Sequence, residues 1–258
     1  MCEHFVARAA EPFALAELWP FVERLERFGI AGFGWGAAWL ASDPTDAGTG
    51  SSLRSHRQTL AFRDDPATST LATEETTAVL VHLRRPSRLS TLHLPDAQPF
   101  DDPAGRFAFS HNGELETWRE RRAAYEKEGR IRGRADTEVA ARWLEDAWDV
   151  ATPAGQLLCR VHETFGGDAN LAVLTADGRP TAYAGNPENP VFIFRLGRIG
   201  VASTGIYSID RSLFRFVAQG ATERQLVRPG RSVELAGNGG AVDASRAREP
   251  LMPGRASR

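Results

Sequence analysis

The chain has 258 residues, of which 42% are hydrophobic and 25% charged, a soluble globular balance that suits one large domain or two small ones. A net charge of −2 supplies no strong field for nucleic acid or an anionic membrane surface. No apolar run approaches the roughly 18 residues that a bilayer-spanning helix needs. Two cysteines, Cys2 and Cys159, argue against a disulfide framework and fit a reduced, cytoplasmic setting. The start Met1-Cys2-Glu3-His4 lacks a basic region followed by an apolar one, so neither a secretory signal nor a lipoprotein anchor is expected. Lys127 is the only lysine. We read the arginine excess as base composition, so each arginine needs its own argument.

Apolar positions Phe13, Leu18, Phe21, Val22, Leu25 and Phe28 predict an amphipathic helix over 13–28, bent at Pro20. The Gly-rich stretch 29–36 then turns into a strand near Ala37–Leu40, and residues 41–56 read as a polar hairpin loop. Strands are expected at 78–83 and 106–111. The Pro-bearing stretch between them, Arg84 to Asp102, is long enough to be a functional loop. Three helices follow, over 117–128, 137–149 and 153–165, the second burying Val139, Ala140, Trp143, Leu144, Ala147 and Trp148. Cys159 lies in the third and reads as core packing. Beyond residue 168 the pattern changes to hairpins: 170–175 with 180–183, 191–195 with 199–202, and 224–227 with 232–235 around Arg228-Pro229-Gly230.

Helices with antiparallel strands and no linker predict one α+β domain over 2–243, followed by an Arg-, Pro- and Ser-rich tail over 244–258 that reads as disordered. The Gly-rich turn precedes its strand, the wrong order for dinucleotide binding, so no cofactor is expected.

Chemistry concentrates around Cys2. Removal of Met1 would place a thiol and a free α-amine on one residue. The amine, with a reference pKa of about 7.7–8.0, can take the thiol proton. Taken alone, an idle second-codon cysteine is the simpler reading. Three further segments bear polar groups: His82-Leu83-Arg84-Arg85-Pro86-Ser87, then Asp96-Ala97-Gln98-Pro99-Phe100 with His111-Asn112-Gly113, and Asp136-Thr137-Glu138. Asn112-Gly113 by itself is a strong type I′ hairpin signal, Asp136 a good helix cap, and Arg84 one surface arginine among many. His82, His93 and His111 invite a Cys–His dyad, but the amine already supplies a base. No histidine or cysteine spacing fits a zinc site.

These segments, in this order, resemble the class II glutamine amidotransferases, N-terminal-nucleophile hydrolases with an initiator cysteine. The first is similar to the family's H-x-R-[WY]-x-T, the second to its N-A-[HQ]-P-F and H-N-G, and the third to its S-D-[ST]-E. The motifs span residues 2 to about 140, and the strand pattern extends the likeness to about 236. The family's C-G-[IV] start and R-G-x-x-S-x-G segment are replaced, while Gly34-Trp35-Gly36 resembles the G-W-G of stand-alone bacterial members. Arg85 stands where the family has an aromatic residue, and Arg88-Leu89 where it has [HA]-G. The groups that position the amine, and the loop over the substrate, are therefore expected to differ.

The resemblance implies a four-layer αββα sandwich of antiparallel sheets. It implies that Cys2 attacks the side-chain amide of glutamine or a γ-glutamyl compound. The Asn112 amide and the Gly113 N–H would hold the oxyanion, Arg84 the substrate carboxylate and Asp136 its ammonium, with Ser87 supporting loop or substrate. No second domain is expected in the chain. Ammonia would then pass to a separate synthase subunit, or the enzyme hydrolyses a γ-glutamyl amide, as in thiol-histidine (ergothioneine-like) biosynthesis. A silent regulatory module of the same fold and a bile-salt or penicillin acylase are the competing readings. The retained motif positions argue against the first. The H-N-G and D-T-E pattern argues against the second.

Overall fold

A computed structural model describes residues 2–29, 31–42, 51–87, 89–205, 211–238 and 240–245. In chain order its elements are β1 (Glu3–Ala14), α1 (Trp19–Phe28), β2 (Trp35–Ser42), β3 (Ser51–Gln58), α2 (Ala67–Leu71), β4 (Glu75–Leu83), β5 (Phe100–Asp101) and β6 (Phe107–Gly113). Helices α3 (Trp118–Lys127), α4 (Asp136–Ala147) and α5 (Ala154–Phe165) follow, then β7 (Ala169–Thr175), β8 (Pro180–Ala184), β9 (Val191–Leu196) and β10 (Ile199–Thr204). The last described elements are α6 (Arg211–Val217), β11 (Ala221–Leu226), β12 (Arg231–Leu235) and β13 (Ala241–Asp243).

The strands form two antiparallel sheets. One runs β11-β9-β10-β1-β4-β2-β3 and the other β13-β12-β8-β7-β6-β5. Side-chain size sets the layers. Between the sheets lie mostly small residues, Ala38, Ala78, Ala108, Ala172, Ala182 and Ala202, with Val6, Leu40, Leu80 and Leu174. Small side chains let two sheets approach to the usual spacing of about 10 Å. The outer face of the first sheet carries Phe5, Trp35, Trp39 and Phe194, which pack against Phe21, Val22 and Leu25 of α1 and Phe214 of α6. The outer face of the second carries Phe107, Phe109 and Leu171 under Val139 and Leu144 of α4 and Leu157, Val161 and Phe165 of α5. Each such Phe or Leu stabilises the fold by about 1.5–3 kcal/mol on burial. The result is the expected αββα sandwich.

Several boundaries differ from the sequence reading. Phe13 belongs to β1, and the helix begins only at Trp19, so Pro20 sits in its first turn and bends nothing. A proline there forfeits no hydrogen bond, because the first N–H groups of a helix have no internal partner. β1 was not foreseen. It is the centre of its sheet and buried on both faces, and so shows no polar alternation. Residues 51–56 belong to β3, paired along β2, while the rest of the expected loop, 43–50, lies outside the described residues. The strands on either side of Arg228-Pro229-Gly230 do not form a hairpin. β11 pairs with β9 and β12 with β8, so this turn carries the chain from one sheet to the other. The Val227 N–H bonds Val191 and the Gly230 N–H bonds Ala184, one in each sheet. Of the tail, Ala244 and Ser245 hydrogen-bond Ser232, and 246–258 lie outside the described residues.

Candidate active site

Strand alternation decides which side chains meet. On β1, Phe5 and Ala7 face the helices and Val6 faces the other sheet. On β4, Val79, Val81 and Leu83 face out while Ala78 and Leu80 face in. His4 and His82 share the inward parity, and both reach Ser110 of β6, at 3.1 and 2.8 Å from Nδ1 to Oγ. With a period of two, Cys2 and Arg84 are the next inward positions on the first sheet and Asn112 the next on the second. Cys2 and Arg84 therefore lie together at one end of the first sheet, where the Arg84 charge acts on the thiol, and Asn112 lies beyond Ser110 on β6.

The Cys2 side chain is half-buried, and its Sγ accepts the Arg85 N–H at 3.2 Å while lying 3.5 Å from the Arg85 carbonyl. Burial pushes the thiol pKa up, against the pull of the Arg85 N–H and the Arg84 charge. Arg84 is buried, and its guanidinium donates to the carbonyls of Thr91 and His93, tying β4 to the loop that follows. Ser87 lies on the exposed side of that loop.

Asn112 is fully buried, and neither its Oδ1 nor its Nδ2 has a partner among the described residues. Such a group is costly, about 1–3 kcal/mol, unless something else satisfies it. Asn112-Gly113 is not a hairpin turn: both residues are still paired with β7, Asn112 opposite Asn170 and Gly113 opposite Ala169. Gly113 has φ +133°, and a Cβ there would stand 1.8 Å from the Asp168 carbonyl oxygen, so only glycine fits.

Asp136 opens α4. Its carboxylate accepts the Leu115 N–H at 3.0 Å and the Thr137 N–H at 2.8 Å, and lies 3.9 Å from His111 Nδ1. It thus ties the segment after Gly113 to the helix start, and its side chain stays about one-fifth exposed.

Two motif residues to which the sequence assigned no role hold these pieces together. Gln98 accepts the His111 N–H at 2.7 Å and donates to Thr137 Oγ1 at 3.2 Å, bridging β6 and α4. Asp96 accepts the N–H groups of Arg134 and Ala135 at 2.5 and 2.8 Å, fixing the approach to α4. His4 was also missed. Burial holds its pKa down at about 3, and holds those of His82 and His111 below their usual value, so all three are neutral near pH 7. Among the described residues no hydrogen bond joins an imidazole to Cys2 Sγ, and no cluster of three or more potential metal ligands occurs. His93 meets Arg84 through its carbonyl.

A further polar lattice borders the site. Asn170 Oδ1 accepts the N–H groups of Gly185 and Asn186, both at 3.1 Å, and its Nδ2 donates to the Asn189 carbonyl at 2.6 Å. Asn189 Oδ1 accepts the Gly205 N–H at 3.0 Å.

Two facing antiparallel sheets between helical layers are the architecture of the N-terminal-nucleophile hydrolases. No family model matches the chain, and no curated protein matches it in sequence. Solved structures do match. The glutamine phosphoribosylpyrophosphate (PRPP) amidotransferase from B. subtilis, complexed with ADP and GMP, superposes with a TM-score of 0.70 at 17% identity, over 94% of this chain and 48% of that one. A structure described as the allosteric regulatory enzyme of purine biosynthesis gives 0.68 at 17% identity with the same coverage of 94% and 48%. The chain thus spans about half the length of these neighbours and shares the fold of that half. Its fold is the one implied by the resemblance to the class II glutamine amidotransferases.

Proposed function

We propose that residues 2–243 form a glutaminase unit that hydrolyses the side-chain amide of glutamine or a γ-glutamyl compound through a thioester on Cys2. The observation that supports this reading most is the buried Asn112 amide, unpartnered among the described residues, two positions beyond the Ser110 hydroxyl that His4 and His82 reach, with Cys2 two positions before His4. Fold alone would not decide function.

In this reaction the α-amine, freed by removal of Met1, takes the Cys2 proton. Sγ then bonds the amide carbon, and the carbonyl electron pair moves onto oxygen, where Asn112 Nδ2 and the Gly113 N–H receive it. As the C–N bond breaks, the ammonium returns the proton and ammonia or amine leaves. Water then cleaves the thioester. Arg84 pairs with the substrate carboxylate in place of the loop carbonyls it now holds, and Asp136 takes the ammonium with its exposed edge. Ser87 supports the loop over the substrate. Released ammonia passes to a separate synthase partner, and a reduced cytoplasm keeps the thiol competent.

The test uses full-length protein with its N-terminus determined by intact mass. Ammonia release from glutamine or a γ-glutamyl amide should vanish in Cys2→Ala and in a variant with one extra residue before Cys2. Full turnover with the N-terminus blocked would falsify the mechanism.

A further inference from the structure

We infer that Asn189 is a further catalytic residue of this site: its side-chain amide donates, beside Asn112, to the carbonyl oxygen of the scissile amide. The inference rests on the thioester reaction proposed above.

The orientation of Asn189 is fixed by chemistry. The Gly205 N–H can only donate, so the atom 3.0 Å from it is the amide oxygen, and the NH₂ end is the free one. Asn189 is fully buried, and its Nδ2 has no partner among the described residues. The surrounding backbone is held firmly. The Asn189 N–H bonds Asn186 Oδ1 at 3.2 Å, its carbonyl accepts from Asn170, and Asn170 in turn grips Gly185 and Asn186. A buried donor kept in place by such a lattice and left unsatisfied is a preorganised group.

Its position follows from pairing. Asn170 stands directly opposite Asn112 on β7. Gly205 follows Thr204, whose hydroxyl accepts the His4 N–H at 3.0 Å and contacts Glu3 and the His4 carbonyl. Asn189 thus touches the second sheet beside Asn112 and the first sheet beside the start of β1, where Cys2 lies. Asn112 and Asn189 are both fully buried carboxamides whose NH₂ ends have no partner among the described residues. Asn189 transfers no proton. The hydrogen bond from its N–H to that oxygen strengthens as the carbonyl π pair becomes an oxyanion lone pair, and weakens again when the C–N bond breaks and the carbonyl re-forms.

Steady-state turnover is measured with L-glutamine and γ-glutamyl-p-nitroanilide, and Cys2 alkylation with iodoacetamide, which displaces iodide and forms no oxyanion. Asn189→Ala should lower kcat by about 10²–10³-fold with KM little changed. Iodoacetamide should modify Cys2 at the wild-type rate. Asn189→Asp keeps the oxygen that accepts Gly205 and should show the same loss of kcat, which covers a failure of the alanine variant to fold. Retention of kcat in either folded variant, a rise in KM alone, or a parallel loss of alkylation would overturn the assignment. Wild-type protein that is alkylated yet turns over neither probe would remove the thioester reaction and this inference together. Active wild type with active Asn189 variants removes the inference alone.

Discussion

Asn112 and Asn189 show why single residues of the proposed site were unequally legible. Asn112 sits in a local His-Asn-Gly pattern, and that pattern placed it. Asn189 lies in Asn186-Pro187-Glu188-Asn189, and its surroundings come from Asn170 and Gly205, far away in sequence. No local signal marks such a residue. The turn alternative for Asn112-Gly113 failed for the same reason, since Asp168 and Asn170 keep the pair in the ladder. An unpartnered amide also makes a residue-scale prediction. Asn112→Leu replaces two unsatisfied polar atoms by apolar ones of similar volume. We expect the unfolding free energy in urea to rise by about 1–3 kcal/mol. The same substitution should lower kcat for amide hydrolysis by about 10²–10³-fold. A variant that loses stability and keeps activity would contradict the role given to this side chain.

Doubly buried strands with a dense apolar run, such as β4 and β7, were read as readily as helices α4 and α5, whereas β1, whose run is broken by Glu3, His4 and Arg8, was not. α4 and α5 follow their apolar spacing closely, whereas the β11–β12 turn is hidden by a change of sheet. Charge density did not obscure α3, which buries only Tyr125. The loop after β4 reads as irregular, yet Asp96 and Gln98 knit it to β6 and α4. Gln98→Leu would strand the buried His111 N–H and one bond of Thr137. We expect a loss of about 1–3 kcal/mol in thermal or urea unfolding. Its effect on activity should appear mainly in KM, because the loop carries the carbonyls that hold Arg84.

For the molecule as a whole, the layer order was implied by the family resemblance, while the polar content of the central layer was not. Three imidazoles, His4, His82 and His111, are buried and neutral. Their folded pKa values lie below the unfolded value of about 6.5, so below that pH the unfolded chain binds the extra protons. Stability should therefore be full above pH 6.5 and decline as pH falls toward 3, where His4 itself titrates. Each such histidine contributes up to about 1.4 kcal/mol per pH unit within its window. Urea midpoints measured from pH 7.5 to 4.5 should fall steadily, and His4→Gln should flatten the slope. A midpoint that rises on acidification would rule out neutral buried imidazoles.

The position of β1 has a consequence for biosynthesis. Cys2 is made before every strand that flanks it: β1 is paired on one side by β4 and on the other by β10, which ends at Thr204. The facing amides on β6 and near β9 also come later in the chain. Long-range strand pairing must wait for the later partner to be made. The proposed nucleophile is thus made well before the groups that complement it. A nascent chain therefore carries the thiol without the proposed hydrolase site until β10 has been made, which, under the proposed function, keeps unfinished copies from hydrolysing the substrate amide.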